Sequence, residues 1–309
     1  MPTLKEIKGR IGSVKSTLKI TSAMKLVSSA KLRKAQVAIE AMRPYEEALQ
    51  GILASLRNSS TREDGFVLER PVLEGSSTTE APSVLGKTAI VAMASNSSLC
   101  GGFNSNIIAK VRSERHPGDV VYSVGRKMAD AMRRDGFPSP EDLNDLVEHP
   151  AYGPAAALVE KLAREVEEGR YARVLLVYTH FVSTARQVPV AEELLADPRA
   201  QAEGNYFSQG FAKNQFPSAK ENQAQAEEIL IEPGKKELLE SLLPKTLKLK
   251  LYAALLDSAA AEHAARTVAM QTATDNAENL LSELTLQYNK GRQQKITAEI
   301  LDLAGGQTE

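Results

Sequence analysis

The chain has 309 residues, 42% hydrophobic and 25% charged, with a formal net charge of -1. That length holds one large domain or two modest ones, and the composition excludes a disordered chain. Cys100 is the only cysteine, which rules out an intramolecular disulfide and points to a reducing compartment.

Charge is unevenly placed. Residues 1 to 50 carry ten Lys/Arg against four Asp/Glu, and no acid lies between Glu6 and Glu40. Aromatics are 5% with no Trp, so the core must be aliphatic, and the Ala, Leu, Lys and Glu content favours long helices. No run approaches the roughly eighteen apolar residues of a membrane span. The N-terminus has neither a hydrophobic signal core nor a long Arg/Ser-rich leader, which predicts a cytosolic location.

At the N-terminal end, Leu4, Ile7, Ile11, Val14 and Leu18 recur at spacings of three and four, a narrow seam of the coiled-coil kind. The seam weakens through Thr21, Ser22, Met24, Ser28 and Ser29, where small residues permit close helix approach, and returns as Leu32, Ala35, Ile39 and Met42. Pro44 and Gly51 are candidate kinks or local ends, after which Leu49, Leu53 and Leu56 predict that the helix resumes.

Between residues 87 and 183 the period changes. Residues 87–95 (KTAIVAMAS), 119–125 (DVVYSVG) and 173–183 (RVLLVYTHFVS) read as buried strands, with helices at 102–115, 126–134 and 154–168 between them. This alternation predicts a parallel α/β sheet with right-handed crossovers. Residues 192–196 and 227–232 are candidate further strand or edge segments, and 58–86 and about 197–225 have loop composition.

From about residue 236 to 304 the pattern is helical again, on the order of 100 Å if unbroken. Ala273, Ala277, Leu280 and Leu284, then Ile296, Ile300 and Leu303, form the expected second seam, ending at Gly305 and Gly306. No compact domain buries such a rod along its whole length. Two terminal helices with matching seams most simply pack on each other and leave their far ends to solvent or a partner.

Candidate chemistry is sparse. The first strand-to-helix turn, SNSSLCGGFN at 95–104, has adjacent glycines that allow either a phosphate cradle or tight helix-to-strand packing, but it has no helix-start Lys and fits neither Gly-rich nucleotide motif. Cys100 has no sequence-evident base, and His116, His149, His180 and His263 are scattered without a metal-ligand pattern. Eight Lys/Arg from residue 8 to 34 suit an acidic protein surface better than nucleic acid, because no aromatic is interleaved. A nucleic-acid-binding coiled coil and a small α/β enzyme with helical appendages remain alternatives on pattern alone.

Certain residues carry a resemblance. ITSAMKLVSSAKLRKAQ at 20–36 is similar to the N-terminal helix of the gamma-subunit family of rotary F-type ATP synthases. LCGGFNSNI at 99–107 resembles that family's first strand-to-helix turn. AARTVAM at 264–270, ATDNA at 273–277, LTLQYNKGRQ at 284–293 and ITAEI at 296–300 resemble its C-terminal helix.

The resemblance implies a long antiparallel coiled coil of N- and C-terminal helices plus a central Rossmann-like parallel α/β domain. Its expected divisions are an N-terminal shaft helix over 1–57, a polar insertion over 58–86, an α/β foot over 87–233 and a C-terminal shaft helix over 234–309. It implies a central rotor stalk, non-catalytic and without cofactor, standing inside an alpha3beta3 hexamer and resting on epsilon and a membrane c-ring. The coil would carry rotation, driven by proton or sodium flow, to the beta sites that make or hydrolyse ATP. By the same resemblance, Met24, Lys25, Arg266, Arg292, Gln293 and Thr297 contact beta, and Glu232 lies on the foot near epsilon and the c-ring. The implied location is peripheral, on the cytoplasmic face of a bacterial inner membrane. Two departures stand out: Asn96-Ser97-Ser98 replaces the usual Asp-Arg-Gly, and Gly291 replaces an Ala, marking a softer point in the shaft.

Overall fold

The computed structural model describes residues 3–60, 87–196 and 234–305. The first element, α1 (Leu4–Ser60), begins with a reciprocal cap: the Thr3 amide donates to Glu6 Oε2 at 2.9 Å and the Glu6 amide to Thr3 Oγ1 at 3.3 Å. This T-x-x-E signal stands in the sequence and pins the start of the helix. α1 runs through Pro44 and Gly51, so neither candidate ends the helix.

The foot is a four-stranded sheet in the order β2-β1-β3-β4, built from β1 (Thr88–Met93), β2 (Val120–Val124), β3 (Arg173–Phe181) and β4 (Gln187–Ala196). β2, β1 and β3 are parallel, as the alternating pattern requires. β4 is antiparallel to β3 and begins five residues before the expected 192–196, so the sheet is mixed at one edge. The sequence hides this extension because polar and apolar residues are intermixed there and Pro189 breaks the strand signal.

Helices α2 (Phe103–Glu114) and α3 (Arg126–Arg134) cover one face through Ile107, Val111, Met128 and Met132. The short α4 (Asp145–Glu148) leads into α5 (Tyr152–Glu167), which covers the other face. There α5 is joined by α6 (Lys235–Gly305), whose Leu251, Ala254 and Leu255 enter the same core as Leu158 and Leu162 of α5 and Leu176 of β3. One helix of 71 residues is therefore both a layer of the foot and half of the coil, about 105 Å from end to end.

α1 and α6 run antiparallel. Leu4 approaches Gly291, the Thr274 hydroxyl donates to the Thr21 hydroxyl at 3.0 Å, and Leu32 packs with Ala260 and Ala264. The inward positions of α1, including Ile7, Thr21, Ser28, Leu32 and Leu49, keep an alternating three-four spacing, the repeat of a left-handed coil.

The expected α6 seam needs correction. Its buried residues are Met270, Thr274, Ala277 and Leu284, with Leu281 half-buried, while Leu280 is 39% exposed. Spacing selects Thr274 and Leu281 over their apolar neighbours, because Thr274 finds a hydroxyl partner in Thr21. Ile296, Ile300 and Leu303 lie beyond the start of α1 and are exposed rather than seam.

Candidate functional site

The expected contact residues fall in separate places. Met24 and Lys25 are half-buried on α1, between the buried Thr21 and Ser28. Arg292, Gln293 and Thr297 are exposed on the part of α6 that outruns α1, with the Thr297 hydroxyl donating to the Gln293 carbonyl at 2.9 Å. From Thr274, which is level with Thr21, to Arg292 the helix rises about 27 Å. Glu232 and the candidate strand at 227–232 lie outside the described residues, as do 61–86 and 197–225.

The projecting segment, residues 292–305, is about 21 Å of single helix. It exposes Ile296, Ile300, Leu301 and Leu303, the last at 74%. Apolar side chains in that number on an unpaired helix mark a partner surface. Just below it, a Cβ on Gly291 would lie 3.1 Å from Leu4 Cδ2, so the glycine also admits the first turn of α1.

Arg266 lies apart from the other expected contact residues. It is 7% exposed and faces inward. One terminal nitrogen donates to the Ser98 carbonyl at 2.6 Å; the other donates to Ser97 Oγ at 2.9 Å and Glu262 Oε1 at 2.6 Å. Its guanidinium thus bonds to the turn after β1 and to Glu262 of its own helix. The Glu262–Arg266 pair is legible in sequence as an i,i+4 ion pair. The grip on residues 97 and 98, 168 positions away from the latter, is not.

That grip closes the turn which invited a phosphate-binding reading. The Ser95 hydroxyl donates to the Ser97 carbonyl at 2.6 Å, and Asn104 Nδ2 donates to Cys100 Sγ at 3.1 Å. Asn96 accepts from the Arg126 amide at 2.9 Å and donates to the Asn144 carbonyl at 3.0 Å. Leu99 and Gly101 have positive φ, 68° and 57°, and Ala269 of α6 would sit 3.7 Å from a Cβ on Gly101. The turn needs Gly101 for its left-handed backbone, a Cβ there making only ordinary contact with Ala269, and Cys100, 2% exposed, is a buried thiol. Beside it, an open cleft of about 210 Å³ is lined by Cys100, Phe103, Thr179, Gln187 and Val268 among others.

Lower on α6, Asp257 Oδ1 accepts the Phe181 amide at 3.0 Å, and Asp257 Oδ2 lies 2.5 Å from His180 Nδ1. Glu46 of α1 points into the same region. Burial raises its pKa, Glu47, Asp257 and Glu192 add to the rise, and Arg43 opposes it. Glu165, buried on α5, accepts from the Tyr122 hydroxyl and from Arg170, both at 2.8 Å. Desolvation, with help from Tyr171 and Glu165, pushes the Tyr122 phenol upward. His263 is held down to about 4 by burial, with Lys31 and Arg266 close by. Of these groups, Asp257 links α6 to β3 and Glu165 links α5 to β2. Among the described residues, no His/Cys/Asp/Glu group is arranged to hold a metal ion, and no helix is long and apolar enough to cross a membrane.

Residues 3–308 match the family model described as ATP synthase. The chain is 42% identical over 314 residues to the ATP synthase gamma chain of Phocaeicola vulgatus, covering 99% of both. It is 41% identical to that of Bacteroides fragilis, again with 99% of both covered. With the gamma chain of Heliobacterium modesticaldum it shares 39% over 308 residues, 99% of this chain and 98% of the relative. Among solved structures it is similar to a chain of the Euglena gracilis mitochondrial ATP synthase OSCP/F1/c-ring assembly, with a TM-score of 0.65, 20% identity, and 99% and 93% of the two chains covered. A chain of the Tetrahymena thermophila central stalk and c-ring gives a TM-score of 0.54 at 23% identity, covering 82% of this chain and 99% of that one. At these identities the structural likeness is one of fold.

Proposed function

The chain belongs to the ATP synthase gamma-chain family, and from that premise we infer that it is the central rotor stalk of the enzyme, non-catalytic itself. It couples rotation at the foot to conformational change at catalytic sites on other subunits. The observation that carries this reading is the geometry of α6: one helix is built into the foot, pairs with α1, and then projects as residues 292–305 with an apolar, unpaired surface. A stiff asymmetric rod of this kind acts by steric and electrostatic contact along its length.

The finer assignments extend the same reading. The projecting tip and the upper coil sit inside an alpha3beta3 hexamer, where Arg292, Gln293 and Thr297 meet beta, and Met24 and Lys25 face an acidic segment of beta. The foot, 87–233, rests on epsilon and a c-ring, with Glu232 on that side. We assign residues 1–57 and 234–309 to the shaft and 58–86 to a polar insertion. The complex places this chain at the cytoplasmic face of a bacterial inner membrane, and its motion is driven by proton or sodium flow through the ring.

Mixing the chain with the alpha and beta subunits of its own organism tests the reading. The expected result is a co-eluting complex of one copy per three alpha-beta pairs, with ATPase activity only when all three are present. A folded chain that does not co-elute would overturn it.

A further inference from the structure

In doubly wound sheets the crevice at the carboxyl ends of the strands, where the strand order reverses, is the usual ligand site. Here β2 and β3 lie on opposite sides of β1, so the reversal falls between β1 and β3. Two polar contacts of α6 fall at this place, one beyond the end of β1 and one at the last residues of β3. Arg266 holds residues 97 and 98 after β1, and Asp257 holds Phe181 and His180 at the end of β3. The two anchors are nine residues apart on α6, about 13 Å.

We propose that this crevice serves as the socket that fixes the shaft to the foot, with Arg266 and Asp257 as the positioning residues that resist twisting of one against the other. The inference rests on the rotor reading above and gives it a mechanical joint. Further down α6 the buried contact with the foot is aliphatic, through Leu251, Ala254 and Leu255. Lys248 and Lys250 also reach the foot, at Glu160, Glu192 and the Glu193 carbonyl, but as compact ammonium groups on flexible stems. Apolar contact is non-directional and yields to sliding about the helix axis. Hydrogen bonds weaken steeply with angle, and a planar guanidinium bound at both terminal nitrogens fixes orientation as well as distance.

Placement strengthens the case. The anchors hold two different segments of the foot, the turn after β1 and the end of β3. Glu262, 7% exposed, balances the buried charge of Arg266, and Ser97 supplies a side-chain hydroxyl and Ser98 a backbone carbonyl to the same guanidinium. Arg266 sits where the coil emerges from the foot, the section through which rotation must pass.

The test uses the assembled complex with alpha and beta, the hexamer immobilised and a bead attached to the foot through Ser113→Cys, an exposed position on α2. The natural Cys100 is buried and does not compete for label. With the shaft held in the hexamer without nucleotide turnover, the angular spread of the bead reads the compliance of the joint. Arg266→Ala is expected to raise the angular variance at least twofold. Ser97→Ala removes one of the three bonds without touching α6 and is expected to raise it less; this variant keeps the test available if Arg266→Ala fails to fold. Asp257→Ala is expected to broaden the spread independently. Unchanged variance in all three overturns the proposal. So does a fall in hexamer affinity or ATPase turnover for Arg266→Ala at unchanged variance, because that places Arg266 in the partner interface. Failure of the wild-type chain to assemble is a different result, seen before any variant is made, and it counts against the rotor reading itself.

Discussion

At the scale of single residues, the informative positions are polar groups held inside the coil. His263 Nδ1 is buried and has no hydrogen-bond partner among the described residues, and its pKa is pulled to about 4 by burial, Lys31 and Arg266. The folded chain therefore holds this imidazole neutral, while the unfolded chain protonates it below its ordinary value of 6.5. Stability from this group is complete above 6.5, declines as pH falls from there towards 4, and changes no further below. Allowing for its partial solvent access, the loss between pH 7 and pH 5 is on the order of 1 kcal/mol. Thermal melts should show a larger drop over that range for the wild type than for His263→Gln, and equal drops would show that the imidazole is solvated. Gly291 is informative for a different reason, the space at the start of the pairing helix. Replacing it with Ala removes a helix penalty of about 1 kcal/mol and brings a Cβ to 3.1 Å from the movable end of Leu4. A net gain of about 0.5 kcal/mol in a denaturant melt is expected, and a loss would mean that Leu4 cannot give way.

At the scale of elements, much is legible in the residues. The three-four spacing of Leu4, Ile7, Ile11, Val14 and Leu18 places α1, and the β-branched runs place β1, β2 and β3 within two residues at each end. The α6 seam lies one residue beyond Ala273 and Leu280, because apolar type alone does not show that Thr274 is satisfied by a hydroxyl 253 positions away. Arg266 is hidden for a related reason: a charged residue on a long helix reads as surface until the turn it grips is in view. The tip reads as seam because periodicity continues past residue 291, although the pairing helix has already ended at Leu4. Its exposed face leads to a prediction. Replacing Arg292 and Thr297 with Ala leaves the chain's own packing intact, since Arg292 is exposed and the Thr297 hydroxyl bonds the Gln293 carbonyl of its own helix. Coupled ATPase of the assembled complex should fall at least several-fold while circular dichroism is unchanged, a difference of about 1 kcal/mol or more in activation free energy. Unaltered turnover would remove both residues from the beta contact.

At the scale of the whole molecule, near-neutrality conceals a directional charge. The net of -1 is the sum of a basic helix and a compensating remainder. Lys8, Arg10, Lys15, Lys19, Lys31, Arg33 and Lys34 are all exposed on α1, and no ion pair among the described residues engages them. Unpaired like charges along a rod repel one another weakly in salt and do nothing for the coil's own stability. Their natural effect is on encounter, since a basic rod entering an acidic opening is steered at long range, whereas the apolar tip acts only after contact. The two contributions separate kinetically. Raising salt from about 0.05 to 0.5 M shortens the screening length from roughly 14 to 4 Å, and association with the alpha-beta hexamer should slow at least tenfold while dissociation changes little. Stopped-flow assembly with a label on the foot measures both rates. A salt-independent association rate would mean that the basic face of α1 takes no part in finding the partner, and the tip of α6 alone would then have to account for recognition.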